Sequence, residues 1–344
     1  MKKKEKLGRK LLSFLLTLAM LVGLMPGMNL TAQATDATTL TAEMTTWENG
    51  DYVVPVGDLT IASHITVNGT VNLTLPAGTT LTANTGITLS DDATLNVSGE
   101  GAMTVNGTNN STASTVAGNG TLVLTSGTLT AKGGNGGNSS CGSDNNATGA
   151  GGVAINGSVT LTGGTLTATG GNGGSGGAFS DNNTLGDGAA AISGDVTMSG
   201  GTLVATGGSG GNVGDGFGRG DGYGRNNKGG AGGAAINGAL SIDGGEMTAT
   251  IGTSGTVKGA NNSNSSAGVA GAGIGGTLTL GKDVTLYDGL GVVIDDNNSS
   301  SREYTGDRKQ IMHAEYYHAW EHPFSRLRAP WVRCILTLES THYI

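Results

Sequence analysis

From Ser158 onward, polar and apolar positions alternate. Val159 and Leu161 sit between Ser158, Thr160 and Thr162; after Gly163-Gly164, Leu166 and Ala168 sit between Thr165, Thr167 and Thr169. A period of two sends successive side chains to opposite faces of a strand, so this unit predicts two short strands with one face turned inward. The paired glycines mark the corner between them. Leu203 with Ala205, and Met247 with Ala249, repeat the second strand further along the chain.

The unit recurs. Ala117-Gly-Asn-Gly-Thr-Leu-Val-Leu124 aligns with Ala154-Ile-Asn-Gly-Ser-Val-Thr-Leu161, then with Ala191-Ile-Ser-Gly-Asp-Val-Thr-Met198 and Ala235-Ile-Asn-Gly-Ala-Leu-Ser-Ile242, and last with Gly273-Ile-Gly-Gly-Thr-Leu-Thr-Leu280; the spacings are 37, 37, 44 and 38 residues. Periods of this size belong to stacked supersecondary units. The expected fold is therefore all-β, a parallel β-solenoid of right-handed β-helix type. Stacking predicts an internal column of Val159, Val196, Leu240 and Leu278, and a second of Ile155, Ile192, Ile236 and Ile274. The Gly-, Asn- and Ser-rich stretches between the strands, such as 170–188 and 207–233, are expected to be long, partly disordered loops on one side.

Residues 46–109 carry the same design less regularly. Strands are predicted at Asp58 to Ile61, Ile65 to Val67, Val71 to Leu75, Thr80 to Leu81, Ile87 to Leu89 and Ala93 to Val97, with turns at Asn68-Gly69, Pro76-Ala77-Gly78 and Ser90-Asp91-Asp92. The organisation that follows is a signal peptide at 1–34, an N-terminal capping part at 35–112, the repeat solenoid at 113–308 and an atypical tail at 309–344. The leader rests on Lys2, Lys3, Lys4, Lys6, Arg9 and Lys10, an apolar run from Leu11 to Leu24, and Ala32-Gln33-Ala34 as the cleavage site. The tail holds His313, His318, His322 and His342 with Trp320 and Trp331, and its abrupt change in composition is expected of a truncated or frame-shifted copy.

Composition narrows the class. Glycine makes up 65 of 344 residues, against 14 Phe, Trp and Tyr together. So few large side chains favour a solenoid, in which each rung buries a narrow stripe against its neighbours. Beyond the leader, 12 basic residues face 25 acidic ones, a net of −13, which argues against a nucleic-acid partner. Cys141 and Cys334 form neither a disulfide framework nor a metal motif.

The repeat Ala190-Ala-Ile-Ser-Gly-Asp-Val-Thr-Met-Ser-Gly-Gly-Thr-Leu-Val-Ala-Thr-Gly-Gly208 resembles those of Gly/Thr-rich β-helical surface proteins of Firmicutes, and is similar to clostridial β-helix carbohydrate-binding domain proteins. Ala272-Gly-Ile-Gly-Gly276 and the opening Trp47-Glu-Asn-Gly-Asp-Tyr-Val-Val54 share the likeness, which spans about residues 45 to 308. It implies a β-helix displayed outside the cell, and says little about activity.

Candidate chemistry is sparse. Gly171-Asn-Gly-Gly-Ser-Gly176 matches a dinucleotide-binding fingerprint with no helix after it, and Gly276 to Lys282 resembles a phosphate loop with Asp283 where a hydroxyl belongs; both read as solenoid turns. Asp215 and Asp221, in Gly214-Asp-Gly-Phe-Gly-Arg-Gly-Asp-Gly-Tyr223, are the candidate metal ligands. They loosely resemble Gly/Asp calcium loops, although calcium takes ~6 to 8 oxygens and Arg219 and Arg225 lie close in sequence. No acid–base pair can be named, so no catalytic or cofactor-binding residue is assigned and an enzyme is not expected. Outward threonine rows, such as Thr165, Thr167 and Thr169, suit the hydroxyl faces of glycans or of ice, and also suit plain strand propensity. The expected function is a secreted or cell-surface structural or adhesive module. Its partner is a polysaccharide or cell-wall glycan, with no nucleic acid and no membrane span after leader removal. The alternatives are a calcium-dependent carbohydrate-binding β-helix and, behind it, a polysaccharide lyase-like enzyme.

Overall fold

A computed structural model describes residues 37–139, 147–176, 182–213, 226–257 and 265–280, and beyond these the backbone of strands Thr285–Asp288, Val293–Ile294, Arg302–Tyr304 and Val332–Leu336. The chain is all-β and winds into a parallel solenoid, with three segments to each rung. The first face stacks Thr46–Trp47, Ile65–Val67, Ile87–Leu89 and Val116–Gly118. It continues as single bridges from Val116 through Ile155, Ile192 and Ile236 to Ile274. The second face runs from Gly50–Val53 through Thr70–Leu75, Thr94–Gly99, Thr121–Leu124 and Ser158–Leu161 to the first parts of Val196–Thr206 and Leu240–Thr250, then Leu278–Leu280. The third stacks Gly57–Ile61, Thr79–Ala83, Ala102–Asn106, Thr128–Lys132 and Thr165–Thr169 on the second parts of the same two long strands.

The predicted columns form. Val159, Val196, Leu240 and Leu278 pair in register and are buried, as are Ile155, Ile192, Ile236 and Ile274. A third internal column on the third face runs Leu81, Met103, Leu129, Leu166, Leu203 and Met247. Alternation produces this directly, because every second residue of a parallel in-register strand meets its counterpart one rung away. The second and third faces meet at Gly164, Gly201 and Gly245, with φ of 73°, 79° and 102°. That backbone region is open to glycine at little cost, so Gly163-Gly164 and its copies turn the chain at the same point of each rung.

The segment expected to cap the solenoid is built from the same three faces, and its columns continue into the repeats without a break. The predicted strands are found here with small boundary shifts, and Gly69, Gly78 and Asp92 sit in the predicted turns at positive φ. At its start Leu40 is buried and Trp47 fully so, with the indole nitrogen donating to the Met44 carbonyl at 3.0 Å. The leader lies outside the described residues. Of the tail, Val332–Leu336 is described, pairing parallel with Gly245 to Thr248.

The Gly-rich stretches correct the sequence reading. Their described parts are ordered extended legs, paired two by two into a wing on the corner between the third and first faces. In the outgoing leg 170–176, Gly170, Gly173 and Gly176 donate to the next rung's Thr206, Ser209 and Asn212 carbonyls at 2.8–3.0 Å. Gly171 and Gly174 donate to Gly152 and Gly149 of the previous return leg at 2.9 and 2.8 Å. The period is three residues, as in a polyproline II-type helix, not the two of a strand. The wing starts small, where Gly107 and Asn110 donate to Lys132 and Asn135, and repeats from rung to rung up to Gly252 and Gly271. These glycines have no positive φ. They are glycine because a Cβ on Gly170, Gly171, Gly173 or Gly174 would collide with the carbonyl oxygen of Ala189, Gly134, Gly186 or Gly137.

Two outcomes are expected. Circular dichroism of residues 35–344 should show strand and irregular signal with almost no helix. Ile192→Ala removes a fully buried column residue and should cost about 2–5 kcal/mol in denaturant unfolding. By contrast Thr167→Val, a residue the next rung already carries as Val204 at the same register, should change stability little.

Candidate functional site

What the rungs present outward is repetitive and mostly uncharged. Down the middle of the third face run Thr60, Thr82, Thr104, Thr130, Thr167, Val204 and Thr248, each opposite the next. Rungs in a sheet stand about 4.8 Å apart, so this is a line of hydroxyl and methyl groups at that interval. Asp58 and Glu246 end the neighbouring row, and Lys132 stands in the next one. The second face carries a side-chain ladder instead: Asn72 Nδ2 donates to Asp51 Oδ1 at 2.7 Å, and Asn96 Nδ2 to Asn72 Oδ1 at 2.8 Å. On the first face Asn68 links Glu48 to Ser90, at 2.9 and 2.6 Å.

The wing has its own ladders. Three outgoing legs read as triplets of two glycines and a polar residue, Gly133-Gly-Asn135-Gly-Gly-Asn138, Gly170-Gly-Asn172-Gly-Gly-Ser175 and Gly207-Gly-Ser209-Gly-Gly-Asn212, and the fourth keeps one glycine per triplet, Gly252-Thr253 and Gly255-Thr256. The polar third residue has a structural task. Asn172 N–H donates to Asn135 Oδ1 at 2.9 Å and Ser209 N–H to Asn172 Oδ1 at 2.8 Å. In the second row Ser175 N–H donates to Asn138 Oδ1, Asn212 N–H to Ser175 Oγ and Thr256 N–H to Asn212 Oδ1, at 2.8, 3.1 and 2.7 Å. Every N–H from Gly170 to Gly176 therefore has a partner, two of every three on backbone and the third on a side chain. A buried or half-buried N–H left without one would cost as much as a lost hydrogen bond.

The sequence-predicted residues fare unevenly. Asp215 and Asp221 lie outside the described residues, between the legs that end at Val213 and begin at Asn226. Among the described residues no group of three or more His, Cys, Asp or Glu is placed to hold a metal. Gly171 to Gly176, the apparent dinucleotide fingerprint, is a wing leg; Leu278–Leu280, the middle of the apparent phosphate loop, is a second-face strand. His64 is tied to the surface, with Nδ1 2.7 Å from the Thr85 carbonyl oxygen and Nε2 2.8 Å from Thr88 Oγ1. Of the aromatic rings on which a sugar would stack, Trp47 and Tyr52 are buried and packed on each other, ring centroids 6.3 Å apart. Phe179, Phe217 and Tyr223 lie outside the described residues, and Tyr287 is described in its backbone alone. No helix among the described residues is long and apolar enough to cross a membrane.

No protein-family model matches the chain, and neither a curated protein nor a solved structure is similar enough to count as a match.

The wing ladders are what the sequence reading missed, and their signal was present: glycine pairs recurring every third residue, against a strand period of two. Gly171→Ala should cost at least the ~1–3 kcal/mol of ordinary overpacking, because its new methyl meets main chain that cannot turn aside. Asn172→Ser, which copies Ser175, whose Oγ accepts the Asn212 N–H, should melt within a few degrees of the unaltered chain. Thermal melts of both variants, with limited proteolysis reporting on the wing, check the pair.

Proposed function

We propose that the chain is a secreted or cell-surface structural and adhesive module, a right-handed β-helix that contacts polysaccharide weakly and repeatedly along its outer faces. It is not an enzyme in this reading. The observation that carries the proposal is the repetition itself: hydroxyl and amide side chains recur at rung spacing down the third face and the wing. One such contact is weak. Many presented by one rigid body act together, because each engagement raises the effective concentration for the next. The burial of Trp47 and Tyr52 fits a dispersed mode of contact and not a single sugar pocket, where an exposed ring would supply much of the apolar surface. The likeness of the repeats to surface proteins of Firmicutes supports the same location.

Retention of the full chain on insoluble cellulose, mucin and peptidoglycan, with and without calcium, tests this. Weak retention on at least one, unchanged by a chelator, is expected. Retention that requires calcium would transfer the function to the segment of Asp215 and Asp221. Turnover of pectin or alginate would replace the adhesive reading with an enzymatic one.

A further inference from the structure

We propose that the outgoing-leg face of the wing is the docking surface for an uncharged β-1,4-linked glycan chain lying along the solenoid axis; this rests on the polysaccharide-binding reading above. Three properties of the ladders carry it.

The first is charge. The described outgoing legs, 133–139, 170–176, 207–213 and 251–257, contain no Asp, Glu, Lys, Arg or His, although the body as a whole is acidic. The return legs differ, with Asp187 and Lys228 exposed. An anionic or cationic polymer finds no counter-charge on the outgoing face, whereas a neutral one faces no repulsion and no cost of desolvating an ion.

The second is fixed direction. Asn135, Asn138, Asn172 and Asn212 are exposed, and each uses Oδ1 to accept a backbone N–H from the next rung. The side-chain amide is thereby held in place with its NH2 left to solvent. A donor already held in one rotamer loses little conformational entropy when a ligand oxygen arrives, which is where weak surface contacts usually fail. The interleaved Ser209, Ser175, Thr253 and Thr256 continue both rows with hydroxyls.

The third is spacing. Along the axis the rows repeat every rung, about 4.8 Å. That is close to the advance per sugar of an extended β-1,4-linked chain, so one residue can meet each rung over the four legs before the two repeats drift apart. Across the axis successive polar residues are three positions apart, roughly 9 Å in a polyproline II-type leg, so each row meets its own glycan chain or its own edge of one. A β-1,3-linked glucan coils and does not keep this register.

The test compares retention of the full chain on cellulose and chitin with retention on an insoluble β-1,3-glucan. A variant carrying Asn135→Asp, Asn138→Asp, Asn172→Asp and Asn212→Asp keeps each Oδ acceptor for the backbone and replaces each outward NH2. Its binding to cellulose and chitin should fall about tenfold or more, since four hydrogen-bond donors are lost. Should four carboxylates loosen the wing, as thermal melts would reveal, the single Asn172→Asp variant carries the same comparison with an expected loss of about two- to threefold. Thr130→Val, Thr167→Val and Thr248→Val together strip hydroxyls from the third face and should lower binding by much less than the wing variant does. Loss of binding in that triple variant, with the wing variants retained as well as the unaltered chain, overturns the wing as the surface while adhesion stands. Equal retention on the β-1,3-glucan overturns the axial match. Absence of retention on every polysaccharide overturns this inference and the proposed function together.

Discussion

Backbone hydrogen bonding between successive rungs is the constraint on which everything else here depends. The chain has too few large side chains to hold itself together around a conventional core, and each rung covers only a narrow apolar stripe of the next. The main chain of one rung must therefore find its partners in the neighbouring rungs, residue by residue and in register. Once that register holds, identical positions stack. Apolar columns inside, such as Ile155 to Ile274, and polar rows outside, such as Thr60 to Thr248, are two results of one rule.

The wing extends the rule to segments with almost no apolar side chain. An ordinary loop of this composition would lack the burial to offset its ordering. Here the legs approach so closely that carbonyl oxygens occupy the space of a Cβ, and hydrogen bonds at every third residue replace side-chain packing. Glycine is thus required at the wing for lack of room and at the corner of Gly164 for backbone conformation, two different physical demands on one residue type. The polar third residues serve the architecture first, by accepting backbone N–H groups. What remains of them, an amide NH2 or a hydroxyl aimed at water, is what a partner can use.

The same regularity shapes the kind of function that suits the molecule. A catalytic site gathers unlike groups at one point, with pKa values pushed apart by their surroundings. In-register stacking does the opposite: it places like beside like, Asn on Asn and Thr on Thr. In the proposed function, the contacts made by such rows are individually weak, extended and repeated. Asp215 and Asp221 lie between two legs, outside the described residues.

The sequence by itself determined the solenoid and its internal columns. Val159, Leu161, Leu166 and Ala168 alternate strictly, and the copies at Val196, Leu240 and Leu278 recur with the repeat; both follow from local periodicity, which stacking preserves. The strands at Ile65–Val67 and Ile87–Leu89 were legible for the same reason. The leader, the tail apart from Val332–Leu336, and the aspartates of the candidate calcium loop rest on the sequence alone. Only the tertiary structure decided the wing. A stretch such as Gly170 to Ser175 has the composition of a flexible linker and no hydrophobic pattern; its one signal, a glycine pair every third residue, does not say which segments it pairs with. Its order comes from partners 19 to 37 residues away in the chain: Gly152 and Asn135 before it, Thr206 and Ser209 after it. The tertiary structure likewise decided that Trp47 and Tyr52 close the beginning of the core instead of facing a ligand, because burial depends on which residues stack above them and not on their own identity.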